Sequence, residues 1–283
     1  MFGAVHKAAI SLGGLASTIA IATCLSTGAA AAEPLRICAS TKEAPYSSAD
    51  KSGFENKIAI KLAEAMGREP EFVFTDKFAI YIVRDYLETN ECDVVMGVDA
   101  GDERLLTTAP IYRSSYVMVT RQDENFTSAD WSDIGKTQMS RFAVRFFTPA
   151  EMILKYTNKW EDNAAYLYSL INFKSSRNSY NQVEAPRLIG EVVAGEADMA
   201  IAFAPDVARY VKASSVPLRM TLIENPLTRS DGLVVPMQYD QAIGVRPDDQ
   251  KLLAEINAAL PSIRGAIDQI LSEEAIPLLP PAS

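Results

Sequence analysis

The sequence predicts a two-lobed α/β protein, and three observations lead to that fold class. Apolar, strand-like runs alternate with helical patterns in the order β-α-β-α-β over residues 35–98, which is typical of a parallel sheet with right-handed crossovers. The same alternation returns after residue 140. A length of 283 residues, 48% of them hydrophobic and 22% charged, leaves room for two domains, each with its own core.

The elements of the first lobe follow from the spacing of apolar residues. Strands are short apolar runs, and the first helix repeats Phe54, Ile58 and Leu62 at intervals of four. Ser52 and Glu55 have the spacing of a capping box at its start, and Gly67 is placed to end it. The predicted elements are a strand at 35–39, a helix at 54–66, a strand at 71–74, a helix at 81–89 and a strand at 92–98.

The second half is predicted in the same way. Residues 110–119 form a turn and an extended apolar segment that crosses to the second lobe. Gly195 is expected to close a helix. The further predictions are strands at 142–144, 197–203 and 241–246, helices at 149–156, 186–193, 250–260 and 263–271, an aromatic segment at 166–173 and a proline-rich tail at 277–281.

The first 32 residues are predicted to be a secretory signal peptide. Lys7 is their only lysine or arginine, apolar and small side chains follow from Ala8 to Leu25, and residues 30–32 are alanines suited to cleavage. The single histidine of the chain, His6, lies in this segment. We therefore expect a periplasmic protein with no membrane span after processing. Without histidine, a Ser-His-Asp triad, a Cys-His dyad and histidine-ligated metals are excluded.

Charge and motifs narrow the function further. The net charge of −9 disfavours nucleic acid and anionic membranes as partners. No phosphate-binding loop, nucleophile elbow or EF-hand loop occurs. Asp99, Asp102 and Glu103 form a small acidic group, which we interpret as a solvated loop rather than a calcium site. The prediction is a protein that is not an enzyme and has no metal or cofactor.

Two cysteines remain after the predicted cleavage, Cys38 and Cys92. An even number in an oxidising compartment favours a disulfide. Both lie in apolar runs that read as buried strands, so the alternative is two separate small apolar side chains. A bridge requires that the two strands be neighbours in a compatible register.

The mature chain resembles the periplasmic solute-binding proteins of type II, which have two α/β lobes joined by two hinge crossings. The resemblance is carried by residues 35–39, 53–67, 93–97, 110–117 and 242–249. It implies a first lobe made of residues 33–119 and 242–283 and a second lobe made of residues 120–241.

Within that superfamily the chain is similar to the MxaJ/MoxJ and XoxJ proteins, which are encoded with periplasmic methanol dehydrogenases, and more to the MxaJ/MoxJ type. The segments behind this narrower likeness are Ile37-Cys38-Ala39, 53–59, 92–98 and 112–117. The likeness implies a protein that supports assembly, maturation or activation of the pyrroloquinoline-quinone (PQQ) methanol dehydrogenase and does not itself oxidise methanol.

Two other functions compete with this interpretation. One is the receptor of an ABC importer, with a small organic solute in the cleft between the lobes. The other is an enzyme of the related dehydratase type, for which Glu43 or Glu103 would have to act as the acid–base group.

The chain departs from the amino-acid-binding members of the superfamily at two places. Those members place an arginine after the third strand to bind a carboxylate; Arg104 is the nearest counterpart, but it lies about three residues too close to Pro110. They also place an acidic residue at the end of the lobe-two strand to bind the ammonium, where this chain has Phe203. An amino acid would thus lose its charged partners in the cleft.

The candidate site residues lie near the carboxyl ends of the predicted strands, where ligands bind in open α/β sheets. Aromatic side chains there suit an apolar, flat or protein ligand, although hinge packing explains them equally. Arg113 suits an anion or an acidic partner side chain, or is a surface charge. Phe146, Phe147 and Trp160 form either a docking patch or core. The candidates are Tyr46, Asp99, Arg104, Tyr112, Arg113, Tyr116 and Phe203.

Overall fold

The computed structural model describes residues 1–3, 32–171 and 182–280. The chain divides into two units, Met1–Ala31 and Ala32–Ser283, and all of the described helices and strands lie in the second. The predicted signal peptide at 1–32 lies almost wholly outside the described residues, as do Phe173 and Pro281. Among the described helices, none combines the length and the apolar character needed to cross a membrane.

The helices and strands follow the predicted alternation, and the α/β fold class is confirmed. In chain order they are β1 (Leu35–Ser40), α1 (Phe54–Ala65), β2 (Pro70–Thr75), β3 (Val94–Asp99), β4 (Leu106–Thr107), β5 (Tyr112–Arg121), β6 (Phe142–Val144), α2 (Pro149–Tyr156), α3 (Trp160–Ser169), α4 (Ala185–Ala194), β7 (Met199–Phe203), α5 (Ala204–Lys212), β8 (Leu218–Leu222), β9 (Leu227–Thr228), β10 (Val234–Val235), β11 (Gln238–Val245) and α6 (Gln250–Glu273).

Lobe I is built around β1, which pairs in parallel with β2 on one side and β3 on the other. Helix α1 makes the crossover between β1 and β2. The helix predicted at 81–89 is present only as a short irregular one, with a 3-10 turn at Ala79–Tyr81 and a π-helix at Val83–Leu87. Ile82, Val83 and Leu87 are buried there against the two cysteines. Tertiary packing therefore determines the irregular helical conformation of this short segment.

The two lobes share strands β5 and β11, which pair antiparallel over residues 112–115 and 238–241. Beyond Tyr116, β5 pairs with β7 and β8 of lobe II. From Gln241 onward, β11 pairs with β3 and then also with β4 of lobe I. Nine of the described strands thus form one sheet around the order β2-β1-β3-β11-β5-β7-β6, and β9 and β10 form a separate two-stranded sheet. Strand β5 changes partner between Ser115 and Tyr116; the predicted lobe boundaries at 119 and 241 remain a proposal.

Two serines stabilise the crossing of β5. Ser114 and Ser115 are both completely buried. Ser115 Oγ lies 2.9 Å from the carbonyl of Ile223 and 3.1 Å from that of Met237, and Ser114 Oγ donates to Pro277 O at 2.8 Å. A buried hydroxyl is tolerated when it is hydrogen-bonded. These bonds tie β5 to the start of β11 and to the C-terminal segment.

Helix α6 is continuous, whereas Pro261 predicts two separate helices at 250–260 and 263–271. This proline lies inside the helix and removes one backbone donor there. The apolar face nevertheless continues from Leu252 and Ile256 to Ile263 and Ile267, all in the core that α6 shares with α1. Burial of that face outweighs the local cost of the proline.

The helices of the two lobes also meet directly. Arg209 on α5 binds Glu274, which lies just after α6. Its Nε donates to Oε2 of Glu274, and its Nη2 donates to Oε1 at 2.7 Å. Glu274 is 5% exposed. A bidentate pair of this kind is geometrically demanding. It holds lobe II against lobe I on the side of α5.

Cys38 and Cys92 form a disulfide, with Cα atoms 5.4 Å apart. Cys38 is in β1, and Cys92 lies two residues before β3. The register of these neighbouring strands, with Ile37 opposite Val94, brings the two residues together. The bridge closes a loop of 54 residues that contains α1 and β2.

Replacing both cysteines, Cys38→Ala with Cys92→Ala, is expected to lower the free energy of unfolding by about 2–4 kcal/mol, because the unfolded chain regains the entropy that the bridge removes. Urea denaturation followed by circular dichroism measures the difference. Dithiothreitol should lower the free energy of unfolding of the wild type by the same amount as the double substitution and should leave that of the double variant unchanged. Equal stability of the oxidised wild type and the double variant would contradict this role.

Candidate functional site

A cavity of about 260 Å³ lies between the two lobes. Lobe I contributes the carboxyl ends of β1 and β3, the loop after β1 and the first turn of α1, while lobe II contributes Arg145 and Asp206. This is the edge at which ligands bind in open parallel sheets. The lining residues are Ile37, Cys38, Ala39, Ser40, Glu43, Tyr46, Ser47, Glu55, Asn56, Ala79, Ile80, Ile82, Val95, Met96, Gly97, Arg145, Asp206 and Gln241.

The loop after β1 is held on the N-terminus of α1. Phe54 N and Glu55 N donate to the carbonyls of Pro45 and Tyr46, each at 3.0 Å. Asn56 closes the contact, since its Oδ1 accepts from Ser48 N at 2.9 Å. The predicted capping box is therefore wrong: Gly53 is the N-cap and no side chain caps the helix. Loop carbonyls satisfy the first helical N–H groups, which leaves the side chain of Glu55 free for the cavity.

Glu55 is a buried carboxyl group at the wall of the cavity. It is 8% exposed, and its Oε1 has no hydrogen-bond partner among the described residues. Gly97 makes room for it, because a Cβ added at Gly97 would overlap Glu55 Oε1. The backbone of Gly97 has a φ of +65°, which glycine adopts without strain. An unpaired buried carboxyl is costly and therefore indicates a site.

Two carboxyl groups of the cavity, those of Glu43 and Glu55, have raised pKa values. Burial, followed by the charge of Glu43, raises the pKa of Glu55 from 4.5 to about 8. Burial also raises the pKa of Glu43, against the opposing effect of its hydrogen bond from Ala79 N at 2.9 Å and of Arg145. Glu55 thus carries a proton in the folded protein at neutral pH.

Arg145 and Asp206 form the lobe II wall. Arg145 follows β6, and Asp206 lies in the first turn of α5. Arg145 Nη1 lies 3.2 Å from Asp206 Oδ1, with the side chains 19% and 11% exposed. Arg145 Nε also donates to Val183 O at 3.3 Å. The guanidinium therefore already has an anionic partner at the cavity.

An aromatic cluster lies where the hinge strands meet lobe II. The ring centroids of Tyr116, Phe203 and Tyr239 are 5.6–6.1 Å apart. Burial raises the pKa of Tyr116 well above 10, and does the same for Tyr46 and Tyr112. These hydroxyl groups remain neutral near pH 7. The cluster packs against the lobe II core.

Of the seven predicted site residues, Tyr46 lines the cavity. Its ring contacts Phe54, with centroids 5.0 Å apart, and Phe54 in turn contacts the buried Tyr112. Tyr112, Tyr116 and Phe203 pack beside the hinge and do not line the cavity.

Asp99 and Arg104 lie outside the cavity lining. Asp99 is exposed, and its Oδ1 accepts from Gln241 Nε2 at 2.7 Å. Arg104 binds Asp102 of its own loop, with Nη2 and Oδ2 2.6 Å apart and its side chain 60% exposed. The guanidinium is therefore held in solvent by a local pair and does not reach the cleft.

Arg113 belongs to a separate pocket of about 300 Å³ between the hinge, α6 and the C-terminal segment. Its Nη2 donates to Gln238 Oε1 at 3.0 Å. Its Nη1 lies 4.0 Å from Asp240 Oδ2. Alternation along β5 explains the location, since neighbouring residues of a strand face opposite sides.

Arg145, Asp206 and the site role of Glu55 were not predicted from the sequence. A usable signal existed for the first two, because β6 and β7 are parallel neighbours and both residues follow their carboxyl ends. The spacing of Glu55 from Ser52 favours a cap, and nothing in that spacing indicates burial. In the described residues, no group of three or more His, Cys, Asp or Glu side chains is arranged to hold a metal ion.

Comparison with known proteins identifies the class to which this two-lobed body belongs. The family model of the bacterial extracellular solute-binding proteins, family 3, matches residues 35–272. The chain therefore belongs to this family, as the fold and its interlobe cavity indicate.

The most similar proteins include those named in the predicted resemblance, which is confirmed. The chain is 55% identical to protein MoxJ of Paracoccus denitrificans, over 87% of this chain and 89% of that protein. It is 45% identical to the crystal structure of MxaJ from Methlophaga aminisulfidivorans MPT, with a TM-score of 0.82, covering 87% of this chain and 100% of the other. Periplasmic binding protein XoxJ from Methylobacterium extorquens AM1 shares the fold at 24% identity, with a TM-score of 0.62 and coverage of 87% and 99%.

The contact between Gly97 and Glu55 predicts a cost for any side chain at position 97. Gly97→Ala is expected to lower the free energy of unfolding by about 1–3 kcal/mol more than Gly101→Ala, which is the matched control. Gly101 also has a positive φ, of +82°, but an added Cβ there meets nothing within 4 Å. Chemical denaturation of both variants measures the difference; equal losses would contradict the overlap.

The buried proton on Glu55 predicts a pH dependence of stability. Folding raises the pKa of Glu55 from 4.5 to about 8. The contribution of Glu55 to the free energy of unfolding is therefore fully present below pH 4.5 and is lost as the pH rises towards 8. Glu55→Gln, which does not titrate, should gain stability over the wild type between pH 5 and 8, reaching up to about 3 kcal/mol. Urea denaturation at several pH values tests this.

The control for that measurement is Glu64→Gln. Glu64 lies on the same helix and pairs with Lys61 at the surface. The free energy of unfolding of Glu64→Gln should differ from that of the wild type by a nearly constant amount between pH 5 and 8. A constant difference for Glu55→Gln as well would disprove the buried proton.

Proposed function

We propose that this chain is a periplasmic accessory protein of methanol oxidation that engages the PQQ-dependent methanol dehydrogenase and supports its assembly, maturation or activation without catalysing a reaction. The observation that carries the proposal is the 55% identity to MoxJ, which extends over nearly the whole mature body. The MxaJ/MoxJ type is favoured over the XoxJ type by identities of 45% and 24% to the two solved structures.

The state of the cleft is consistent with this proposal. Arg104, the nearest counterpart of the carboxylate-binding arginine, is paired with Asp102 in its own loop. Phe203 packs in the aromatic cluster instead of presenting a charge at the strand end. The groups that hold a free amino acid in amino-acid-binding relatives are thus absent from their usual places, and the two-lobed body is available for another role.

The second candidate function is that of a solute-binding receptor for an importer. The observation that favours it is the cavity itself, which is of small-molecule size and carries the charged groups Arg145 and Asp206. A receptor closes on its solute, so X-ray scattering would show a decrease in radius of gyration on ligand addition. An accessory protein needs no such change.

The contact with the dehydrogenase is proposed to include Phe147. Of the predicted docking patch, Phe146 is buried and packs edge-on against Trp160, with ring centroids 6.3 Å apart. Phe147 is 82% exposed and has a φ of +59°, which is unusual for a bulky side chain. A solvent-exposed ring on a strained backbone indicates a functional surface.

A binding experiment with purified methanol dehydrogenase tests the proposal. The mature chain is expected to capture the dehydrogenase at micromolar concentrations, and Phe147→Asn should weaken binding at least tenfold, because exposed aromatics dominate interface energies. Asparagine tolerates a positive φ, so the fold should be retained. The control is Leu233→Asn, at a residue that is 56% exposed on the β9–β10 hairpin.

A deletion strain provides the complementary measurement. Dehydrogenase activity and its PQQ content should fall without this protein and recover when the wild type is supplied. Normal activity in the deletion strain, together with absence of capture, would refute the accessory role. Capture that is equally strong for Phe147→Asn would refute only the proposed surface.

A further inference from the structure

The cavity between the lobes is rich in carboxyl groups and poor in cations. Glu43, Glu55 and Asp206 line it, against the single guanidinium of Arg145. That guanidinium is committed to Asp206 at 3.2 Å and to a backbone carbonyl. No lysine lines the cavity in the described part of the chain. An anion or a zwitterion would therefore meet more negative than positive groups.

Glu55 is the acceptor in the cavity that lacks a partner. It is more than nine-tenths buried, and Oε1 makes no hydrogen bond with any described residue. Glu43, by contrast, already accepts from Ala79 N, and Asp206 accepts from Arg145. A donor group bound in the cavity would satisfy Glu55 and relieve the cost of its burial.

Much of the remaining lining is apolar, and the polar side chains of Ser40, Ser47, Asn56 and Gln241 complete it. Ile37, Ala39, Ile82, Val95 and Met96 form much of the wall around the carboxyl groups. A volume of about 260 Å³ holds a ligand with few non-hydrogen atoms. Such a site favours a short alkyl chain over a hydrated metal ion.

From this arrangement we propose that the interlobe cavity binds a small primary alkylammonium ion, with Glu55 as the principal acceptor and Glu43 and Asp206 as further carboxylate partners. This site is independent of the proposed accessory function, because it concerns a small molecule rather than the dehydrogenase. It also differs from an amino-acid site, since no free cation is offered to a carboxylate.

Binding of the cation should release the proton of Glu55. An ammonium ion beside the carboxyl favours its charged form, so the pKa of about 8 decreases in the complex. Glu43, Tyr46 and Tyr112 are the titratable groups that interact with Glu55, and Arg145 and Asp206 line the same cavity. The two tyrosines have raised pKa values and stay neutral to pH 9. With a pKa of about 8, Glu55 is expected to change charge between pH 7 and 9.

Isothermal titration with n-butylammonium chloride tests the proposal. The full mature chain should bind it about tenfold more tightly at pH 9 than at pH 7, because Glu55 is about one-tenth ionised at pH 7 and about nine-tenths at pH 9. Butylammonium remains charged over this range, as a lysine side chain does. Phosphate and borate buffers are used because Tris is itself a primary amine. Sodium butyrate and n-butanol serve as the anionic and neutral probes.

Variants assign the binding to the cavity. Glu55→Gln should lower the affinity at pH 9 at least tenfold and abolish the pH dependence. Glu43→Gln should weaken binding and move the pH dependence to lower pH, because the charge of Glu43 contributes to the raised pKa of Glu55. Glu64→Gln, on the exposed face of α1, should bind as the wild type does. Melting curves establish that each variant is folded.

Three results would overturn the proposal. They are no heat of binding for butylammonium up to millimolar concentrations, unchanged affinity and pH dependence in Glu55→Gln, or tighter binding of butyrate, butanol or calcium than of butylammonium. None of these results bears on capture of the dehydrogenase, so the two proposals fail separately.

Discussion

The antiparallel pairing of β5 with β11 is the constraint on which the rest of the structure depends. Four residues of each strand, 112–115 and 238–241, join the lobes and continue into them as core strands. Because Ser114 and Ser115 are buried at this crossing and bonded to carbonyls of neighbouring segments, the hinge is well defined. The bidentate contact of Arg209 with Glu274 adds a second connection away from the hinge. Together they determine which side chains face each other across the cleft.

The charged side chains on the two sides of that cleft determine which ligands it can accept. Lobe II presents an arginine already neutralised by an aspartate, and lobe I presents two carboxyl groups, one without a hydrogen-bond partner among the described residues. The glycine at position 97 and the loop that caps α1 make the burial of Glu55 sterically possible. The result is a cavity that disfavours anions, in a family whose fold commonly serves solute binding.

The proposed accessory role and the proposed ligand site of the cavity rest on different parts of the protein. The first rests on similarity along the whole chain and on an exposed aromatic residue of lobe II, whereas the second rests on buried groups between the lobes. A two-lobed protein can present one surface to a macromolecule while its cleft responds to a small molecule. The two proposals can be tested by separate substitutions, since the residues involved do not overlap.

Local patterns in the sequence were sufficient to predict the α/β class and the order of most elements, because apolar periodicity is a property of short segments. The even number of cysteines gave the pairing of Cys38 with Cys92 as one of two alternatives. The site was different: Tyr46 alone among the seven candidates lines the cavity. Arg145, Asp206 and Glu55 lie far apart in sequence, and only the packing of two lobes around shared strands brings them together. The continuity of α6 through Pro261 and the burial of Glu55 were likewise decided by tertiary contacts, since both carry a local cost that only packing elsewhere offsets.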